Sequence, residues 1–459
     1  MDQRKSSNFH IVMFPWFAFG HMTPFLHLSN KLAKKGHTIT FLLPGKAQKQ
    51  LQHFNLHPHL ITFHPLKIPP VDGLPAGAEI VSEIPLSLTN LLFIARDRTK
   101  DQVEAVITAT KPKIVIDDST HWLQEITKPI GIKTINYRIT SAAESAFVMV
   151  PASNFHKDRS LTRDELAVPP TGYPSKTVVL RPHETRFFSF ISHVFAEGIS
   201  IIERVTTSMK ECDVIAMRTC REIEGELCDY IGSQYNKPVL LTGPALPEPS
   251  NKPLEERWGK WLGLFQPGSV VFCAFGSEFI LEKDQFQELL LGFESTNLPF
   301  LIALKPPVGA TTVEEAFPDG FEERIKGRGV VWSRWVQQVS ILDHPSVGCF
   351  VSHCGFGSMW ESLISDCQIV LVPHLGDQFL NTRLMADELK VAVEVEREDN
   401  GWFSKESLCN AIKSAMDKDN EMGNMIKKNH AKWKDTLLNP SFMSDYIDKF
   451  VQDMQQLVK

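Results

Sequence analysis

No apolar run in this 459-residue chain approaches the roughly 20 residues needed to cross a bilayer. The opening residues, Met1 to Asn8, lead straight toward a strand without the apolar centre of a secretory signal. A cytoplasmic protein is therefore expected. The net charge of -6 offers no basic surface for nucleic acid or an anionic membrane. Cysteines number 8, and Cys212, Cys220 and Cys228 recur at a spacing that fits no common zinc module. Buried free thiols in a reducing compartment are the expectation. Internal repeats and low-complexity segments are absent. So is the G-x-G-x-x-G turn of a nicotinamide oxidoreductase. Pro15 to Gly20 follows the first strand without it, and Gly355-Phe356-Gly357 meets Trp360 where a third glycine belongs. No clustered carboxylate motif of a Mg-dependent transferase occurs either, and no metal or other cofactor is expected.

What is present is an ordinary globular composition, 43% hydrophobic and 22% charged, long enough for two domains. Phe9 to Phe14 reads as a strand, Thr23/Pro24 to Lys35 as a helix stopped by Gly36, and Thr38 to Leu43 as a strand. That βαβ unit predicts a parallel sheet. Lys113 to Ile116, Val214 to Met217 and Val239 to Leu241 extend the strand series. Thr242 to Lys260, rich in proline, reads as a linker. Beyond it, strands are predicted at Ser269 to Phe275, Phe300 to Ala303 and Gly329 to Trp332. The last segment, Asp445 to Leu457, is amphipathic, with Ile447, Phe450, Val451 and Met454 on one side.

The most informative stretch runs from Trp335 to Gln378. Val347 to Val351 is a short buried strand ending at Ser352-His353; Cys354 to Ser358 forms a glycine-rich turn, and Met359 to Leu363 has helical character with Ser358 at the helix start. Strand, glycine turn and helix N-terminus make an anion site, because unpaired N–H groups and the helix dipole converge there. His353 and Ser358 add side-chain donors. A second strand, Ile369 to Val372, delivers Asp377-Gln378 to the same sheet edge. Trp335 offers a flat face for a base, and Glu361 can accept from two ribose hydroxyls. Together these residues fit a nucleoside diphosphate sugar.

The same 44-residue stretch resembles the signature box of plant secondary-metabolite UDP-glycosyltransferases. Trp335, Gln338, His344, Pro345, Gly348, Phe350, His353, Cys354, Gly355, Ser358, Glu361, Pro373, Asp377 and Gln378 all stand at the family's spacing. The chain departs from it at Phe356, where tryptophan is usual, and at Gly357, where asparagine is usual; both departures bear on the donor sugar. Cys354 to Glu361 resembles the branch that adds a second sugar to an existing glycoside.

The resemblance implies two facing, doubly wound, Rossmann-like α/β domains, the GT-B fold. Residues 1–242 would bind acceptor, 243–260 link, 261–435 bind donor, and 436–459 cross back as a helix. It implies His21, in Gly20-His21-Met22-Thr23-Pro24, as catalytic base; from position alone, at the end of the first strand, a structural role is as plausible. It implies Asp118, four residues before Trp122, as the partner of His21, with Asp117 left as a turn carboxylate. Donor contacts would come from Ser277, Trp335, Val336, Gln338, His353, Phe356, Gly357, Ser358, Glu361, Asp377, Gln378 and Thr140. Trp16, Phe19, Phe187, Phe188 and His374 would wall the acceptor, although core is the commoner fate of phenylalanine. The implied reaction is inverting transfer from a UDP-sugar, rhamnose ahead of xylose and glucose, to a flavonoid, anthocyanidin or phenylethanoid glycoside. A monomer is expected. An aglycone-directed glucosyltransferase and a non-catalytic nucleotide-sugar-binding protein remain alternatives.

Overall fold

The computed structural model describes residues 8–152, 159, 161–188, 191, 199–248, 253–276, 279–417 and 419–459. The chain divides into two compact units. Unit 1 holds residues 1–175, 189–248 and 440–459; unit 2 holds 176–188 and 249–439.

Unit 1 is built on a parallel sheet of β1 (His10–Phe14), β2 (Thr38–Pro44), β3 (Ile61–Leu66), β4 (Ile114–Asp117), β5 (Lys133–Arg138), β6 (Val214–Met217) and β7 (Val239–Leu241). Their order is β3-β2-β1-β4-β5-β6-β7. Strand residues alternate between two apolar layers, as the period of two requires. Ile11 and Met13 join one buried cluster; Val12 and Phe14 join the other. Both faces are thus covered, and the central strands read as unbroken apolar runs.

Unit 2 repeats the plan with β8 (Val270–Ala274), β9 (Phe300–Ala303), β10 (Gly329–Trp332), β11 (Val347–Ser352), β12 (Gln368–Leu371) and β13 (Ala392–Glu394). All are parallel neighbours, in the order β10-β9-β8-β11-β12-β13. Val271 and Cys273 face one layer, Val270 and Phe272 the other. In each sheet the strand order reverses once, at β1/β4 and at β8/β11. Loops part at such a switch point and open a crevice at the strands' carboxyl ends.

Several boundaries differ from the sequence reading. The first helix spans Phe19–Lys34, so Pro24 lies inside it rather than at its start. Ala18 serves as N-cap without a side-chain hydrogen bond, which is why no capping residue marked that start. The proline-rich linker ends in a helix, Glu256–Leu262, whose Trp258 and Leu262 are buried. Residues 176–188 belong to unit 2, where Glu184 is held by Arg383 at 2.6 Å in a site where both are buried. The helix Pro440–Leu457 belongs to unit 1: Ile447, Phe450, Val451 and Met454 share a cluster with Ile11, Met13 and Phe25. Among the described residues, no helix is long and apolar enough to cross a membrane.

Candidate active site

In unit 1 the chemistry gathers at the β1/β4 switch point. The loop after β1 places His21 on the first turn of the helix Phe19–Lys34, and β4 ends with Asp117 and passes to Asp118. His21 Nδ1 lies 2.7 Å from Asp118 Oδ2. A carboxylate only accepts, so Nδ1 carries the proton and Nε2 is left as the basic nitrogen. The same Oδ2 accepts the Trp16 N–H at 2.9 Å, and Ser119 Oγ donates to Oδ1 at 2.9 Å. Burial alone would raise the Asp118 carboxyl. The His21 hydrogen bond and charge, Arg96 and the Trp16 N–H outweigh it and hold the group below the usual carboxylate value. Asp118 therefore stays ionised beneath a part-exposed imidazole. Asp117 turns the other way, accepting the Thr120 N–H at 2.8 Å and the Ser208 hydroxyl at 3.2 Å. Its burial pushes it up to about 6. Thr140 donates to Glu144 at 3.0 Å and accepts from Arg138 at 3.1 Å, so its hydroxyl belongs to a local charged network.

In unit 2 the second constellation sits at the β8/β11 switch point. After β11 the chain turns through Cys354, which takes a left-handed φ of 61, into the helix Phe356–Leu363 with Gly355 as N-cap. The helix thus begins two residues before Ser358, which rides its first turn. The His353 ring packs against two glycines. A Cβ on Gly355 would stand 2.5 Å from its Nε2, and one on Gly276 would stand 3.0 Å away. Burial pushes the His353 imidazole down to about 4, so it is neutral near pH 7 and offers a hydrogen bond rather than a charge. Gln338 Nε2 bridges Glu361 at 2.6 Å and Ser358 at 3.1 Å. Trp335 is 69% exposed, the most water-facing tryptophan among the exposed large apolar residues. Asp377 Oδ2 accepts from Asn381 at 3.0 Å, and Asn381 also donates to the Cys354 carbonyl at 3.0 Å, tying the two loops together. The Gln378 carbonyl oxygen takes the N–H groups of His374 and Leu375, leaving its amide as the free end.

Several residues expected at the ligand are packed into the core or against neighbouring rings. The Trp16 ring is core, stacked on Phe93 with centroids 3.7 Å apart, and only its backbone N–H reaches the dyad. Phe19 is half-buried against the same layer as Met13. Phe188 is 1% exposed. His374 is stacked on Phe279 at 4.2 Å, and burial, with Arg397 and His353 nearby, keeps it neutral. Phe356 packs edge-on against Trp360, and Val336 belongs to a core cluster. An apolar side chain beside a functional loop gains more from the core than from water, which the linear motif does not reveal. Gly357 is part-exposed on the first turn of the helix. Ser277 and the side chain of Phe187 lie outside the described residues. Arg96 and Asn381 escaped the sequence reading. Arg96 finds its partners 23 to 82 positions away, and Asn381, although it bonds Asp377 and Cys354 inside the stretch, itself lies just past its end.

Known proteins resemble this chain along nearly its whole length. The family model "UDP-glucoronosyl and UDP-glucosyl transferase" matches residues 321–440. UDP-glycosyltransferase 79B6 of Arabidopsis thaliana is 57% identical over 454 residues, covering 99% of this chain and 98% of that protein. An Arabidopsis thaliana anthocyanidin 3-O-glucoside 2'''-O-xylosyltransferase is 56% identical over 460 residues, covering 99% and 98%. Among solved structures, Arabidopsis thaliana UGT89C1 complexed with UDP-L-rhamnose superposes with a TM-score of 0.76 at 22% identity, covering 98% of this chain and 99% of that one. At that identity the likeness speaks for the GT-B fold. With more than half of its residues shared along nearly the full length of such enzymes, the chain belongs to the UDP-glycosyltransferase family.

Proposed function

We propose that this enzyme is an inverting transferase that adds a second sugar from a UDP-sugar to a sugar hydroxyl of a plant phenolic glycoside, with flavonoid and anthocyanidin glycosides as its first class of acceptor. One observation carries the acceptor class: the 56% identity with a protein named for xylosyl transfer to an anthocyanidin 3-O-glucoside. The chemistry follows from the dyad. His21 Nε2 takes the proton of the acceptor hydroxyl. The oxygen attacks the anomeric carbon opposite the diphosphate, and the bond to UDP breaks with its electron pair leaving on the phosphate. Asp118 keeps Nδ1 protonated and balances the imidazolium. The departing diphosphate is received by the N-terminus of the helix Phe356–Leu363 with Ser358 and neutral His353, and Ser277 is proposed to join them. Trp335 stacks on the base, Glu361 accepts from the ribose, and Asp377 with the Gln378 amide meets the sugar. No metal is required for this scheme. The enzyme works as a monomer in the cytoplasm.

Rhamnose is the donor sugar we place first; xylose, the sugar in that relative's name, is the second reading, and glucose the third. A panel of UDP-rhamnose, UDP-xylose, UDP-glucose and UDP-galactose tests all of this, run against flavonoid and phenylethanoid glycosides beside their aglycones, with products weighed by mass spectrometry. A gain on glycosides alone is expected, by a deoxyhexose or a pentose. A gain on aglycones alone overturns the acceptor class, and UDP binding without turnover on any pair points to a non-catalytic binding protein.

Gly355→Ala tests the diphosphate site separately. The backbone there has φ -61, which alanine tolerates, so the substitution acts through the displaced His353 ring. A hydrogen bond to a charged group contributes about 1.5–3 kcal/mol. The KM for UDP-sugar should therefore rise about ten- to hundredfold. An unchanged KM would remove His353 from the phosphate site.

A further inference from the structure

Behind Asp118 stands a guanidinium that is fully buried. Arg96, on the helix Thr89–Asp97, is 0% exposed and lies over the Phe14 ring at 4.2 Å. Its Nη2 donates to the Phe14 carbonyl at 3.2 Å and to Thr120 Oγ1 at 2.8 Å, and stands 3.7 Å from Asp118 Oδ1. Its Nη1 reaches Ser119 Oγ at 3.4 Å, and that hydroxyl in turn donates to Asp118 Oδ1. Nε is buried without a hydrogen-bond partner. Burying a cation with one donor unmet costs stability, and the structure incurs that cost beside the carboxylate that holds His21. A role in the chemistry accounts for its presence better than a role in the fold.

Resting on the transferase reading above, we propose that Arg96, acting with Ser119, is a positioning residue for the catalytic dyad: it forms the third member of a His21–Asp118–Arg96 relay and holds Asp118 ionised with Oδ2 turned to His21. Arg96 touches neither substrate nor reacting atoms. It acts on Oδ1, so that Oδ2 remains for the imidazole. Other charged groups face the pair from the surrounding elements. Asp117 ends β4, Asp97 follows Arg96 on its own helix, and Arg204 comes from the helix Ile201–Glu211. Arg204 pairs with Asp97, and His121 lies 3.3 Å from Arg204 and 3.9 Å from Asp97. Arg138, from β5, donates to the Asp118 backbone carbonyl at 3.3 Å. With Arg204 answered by Asp97, and Asp117 turned toward Thr120 and Ser208, Arg96 is, among the described residues, the arginine or lysine within 4.0 Å of the Asp118 carboxylate.

The sign follows from Coulomb's law. A positive charge beside Asp118 disfavours a proton on Asp118 and, through it, on His21. Removing that charge raises the proton affinity of both, so the base becomes protonated at higher pH. In Arg96→Gln the acidic limb of the kcat/KM profile should move to higher pH by about one unit. Arg96→Lys, which keeps the charge and loses the fork, should return the limb toward the wild-type position. Ser119→Ala should move it in the same direction by less, and it deletes too little to endanger folding. UDP binding, read by calorimetry, should be unchanged in all three.

A limb that stays in place in Arg96→Gln, with kcat lowered evenly across pH, overturns the proposal and leaves Arg96 a structural residue. If Arg96→Gln does not yield folded protein, Ser119→Ala decides, and an unmoved limb there is equally fatal. Failure of the transferase reading is recognisable separately, because the wild-type enzyme would then turn over no donor–acceptor pair.

Discussion

His21→Ala folds, binds UDP as the parent does, and loses about 10²–10⁴-fold in kcat. Three observations set this outcome. The His21 side chain is 25% exposed, so its removal opens no cavity in the core. Asp118 keeps the Trp16 N–H, the Ser119 hydroxyl and the Arg96 charge, so no orphaned carboxylate is created. The proposed diphosphate and base contacts all lie in unit 2, on other elements. The loss should therefore fall on kcat and leave donor KM near its original value. Steady-state kinetics on the best donor–acceptor pair measures it. Turnover within tenfold of the parent would remove His21 as the base and, with it, the direct-displacement scheme.

Arg383→Met strips unit 2 of its buried anchor and lowers stability by about 3–5 kcal/mol. The Arg383 guanidinium reaches Glu184 at 2.6 Å and two oxygens of Glu394, with Asp387 3.6 Å away. Its own side chain and that of Glu184 are each 2% exposed. Methionine fills much of the volume, yet leaves Glu184 without its cation in a place water does not reach. For a unit of this size the midpoint of thermal unfolding should fall by about 10 °C or more. Differential scanning calorimetry reads this, and the double variant Arg383→Met with Glu184→Met should recover part of the fall, since removing both charges removes the desolvation cost. A midpoint that does not move would mean the network is solvated in solution. Residues 176–188 would then be held to unit 2 by the remaining pairs, Arg181 with Glu394 and Thr177 with Glu388.

The two variants mark the limits of what the sequence disclosed. Short strands of contiguous apolar residues were legible to the residue: Val214–Met217, Val239–Leu241, Phe300–Ala303 and Gly329–Trp332. β3 and β5 were not. The first is interrupted by His64 and Pro65, the second carries Lys133, Asn136 and Arg138. β5 is a strand because tertiary partners satisfy its polar groups, as Ser208 does for Asn136 and Glu144 for Arg138, while β3 is an edge strand that leaves His64 and Pro65 to water. The site divides the same way. Residues inside the contiguous box could be read as a group because they stand together at the spacing of the family it resembles. Arg96 reaches residues 23 and 24 positions away, and Trp16 meets Asp118 across 102. Such contacts have no local signal. The direction of a ring is equally silent, so Trp16, Phe188 and His374 read as acceptor walls and Phe356 as a donor contact, although all four side chains are buried.

The helix Pro440–Leu457 sets an order of events during synthesis. It delivers Ile447, Phe450, Val451 and Met454 to an apolar cluster whose other members begin at Ile11, on the first strand to leave the ribosome. Burying four such side chains contributes roughly 6–12 kcal/mol, comparable with the whole stability of a domain. Until that helix emerges, the nascent first unit carries an uncovered apolar face. Unit 2 needs nothing beyond residue 439 and can close earlier. The half of the protein that is translated first is therefore completed last, and a ribosome stalled anywhere before Pro440 leaves on its surface a sticky intermediate of the kind chaperones recognise.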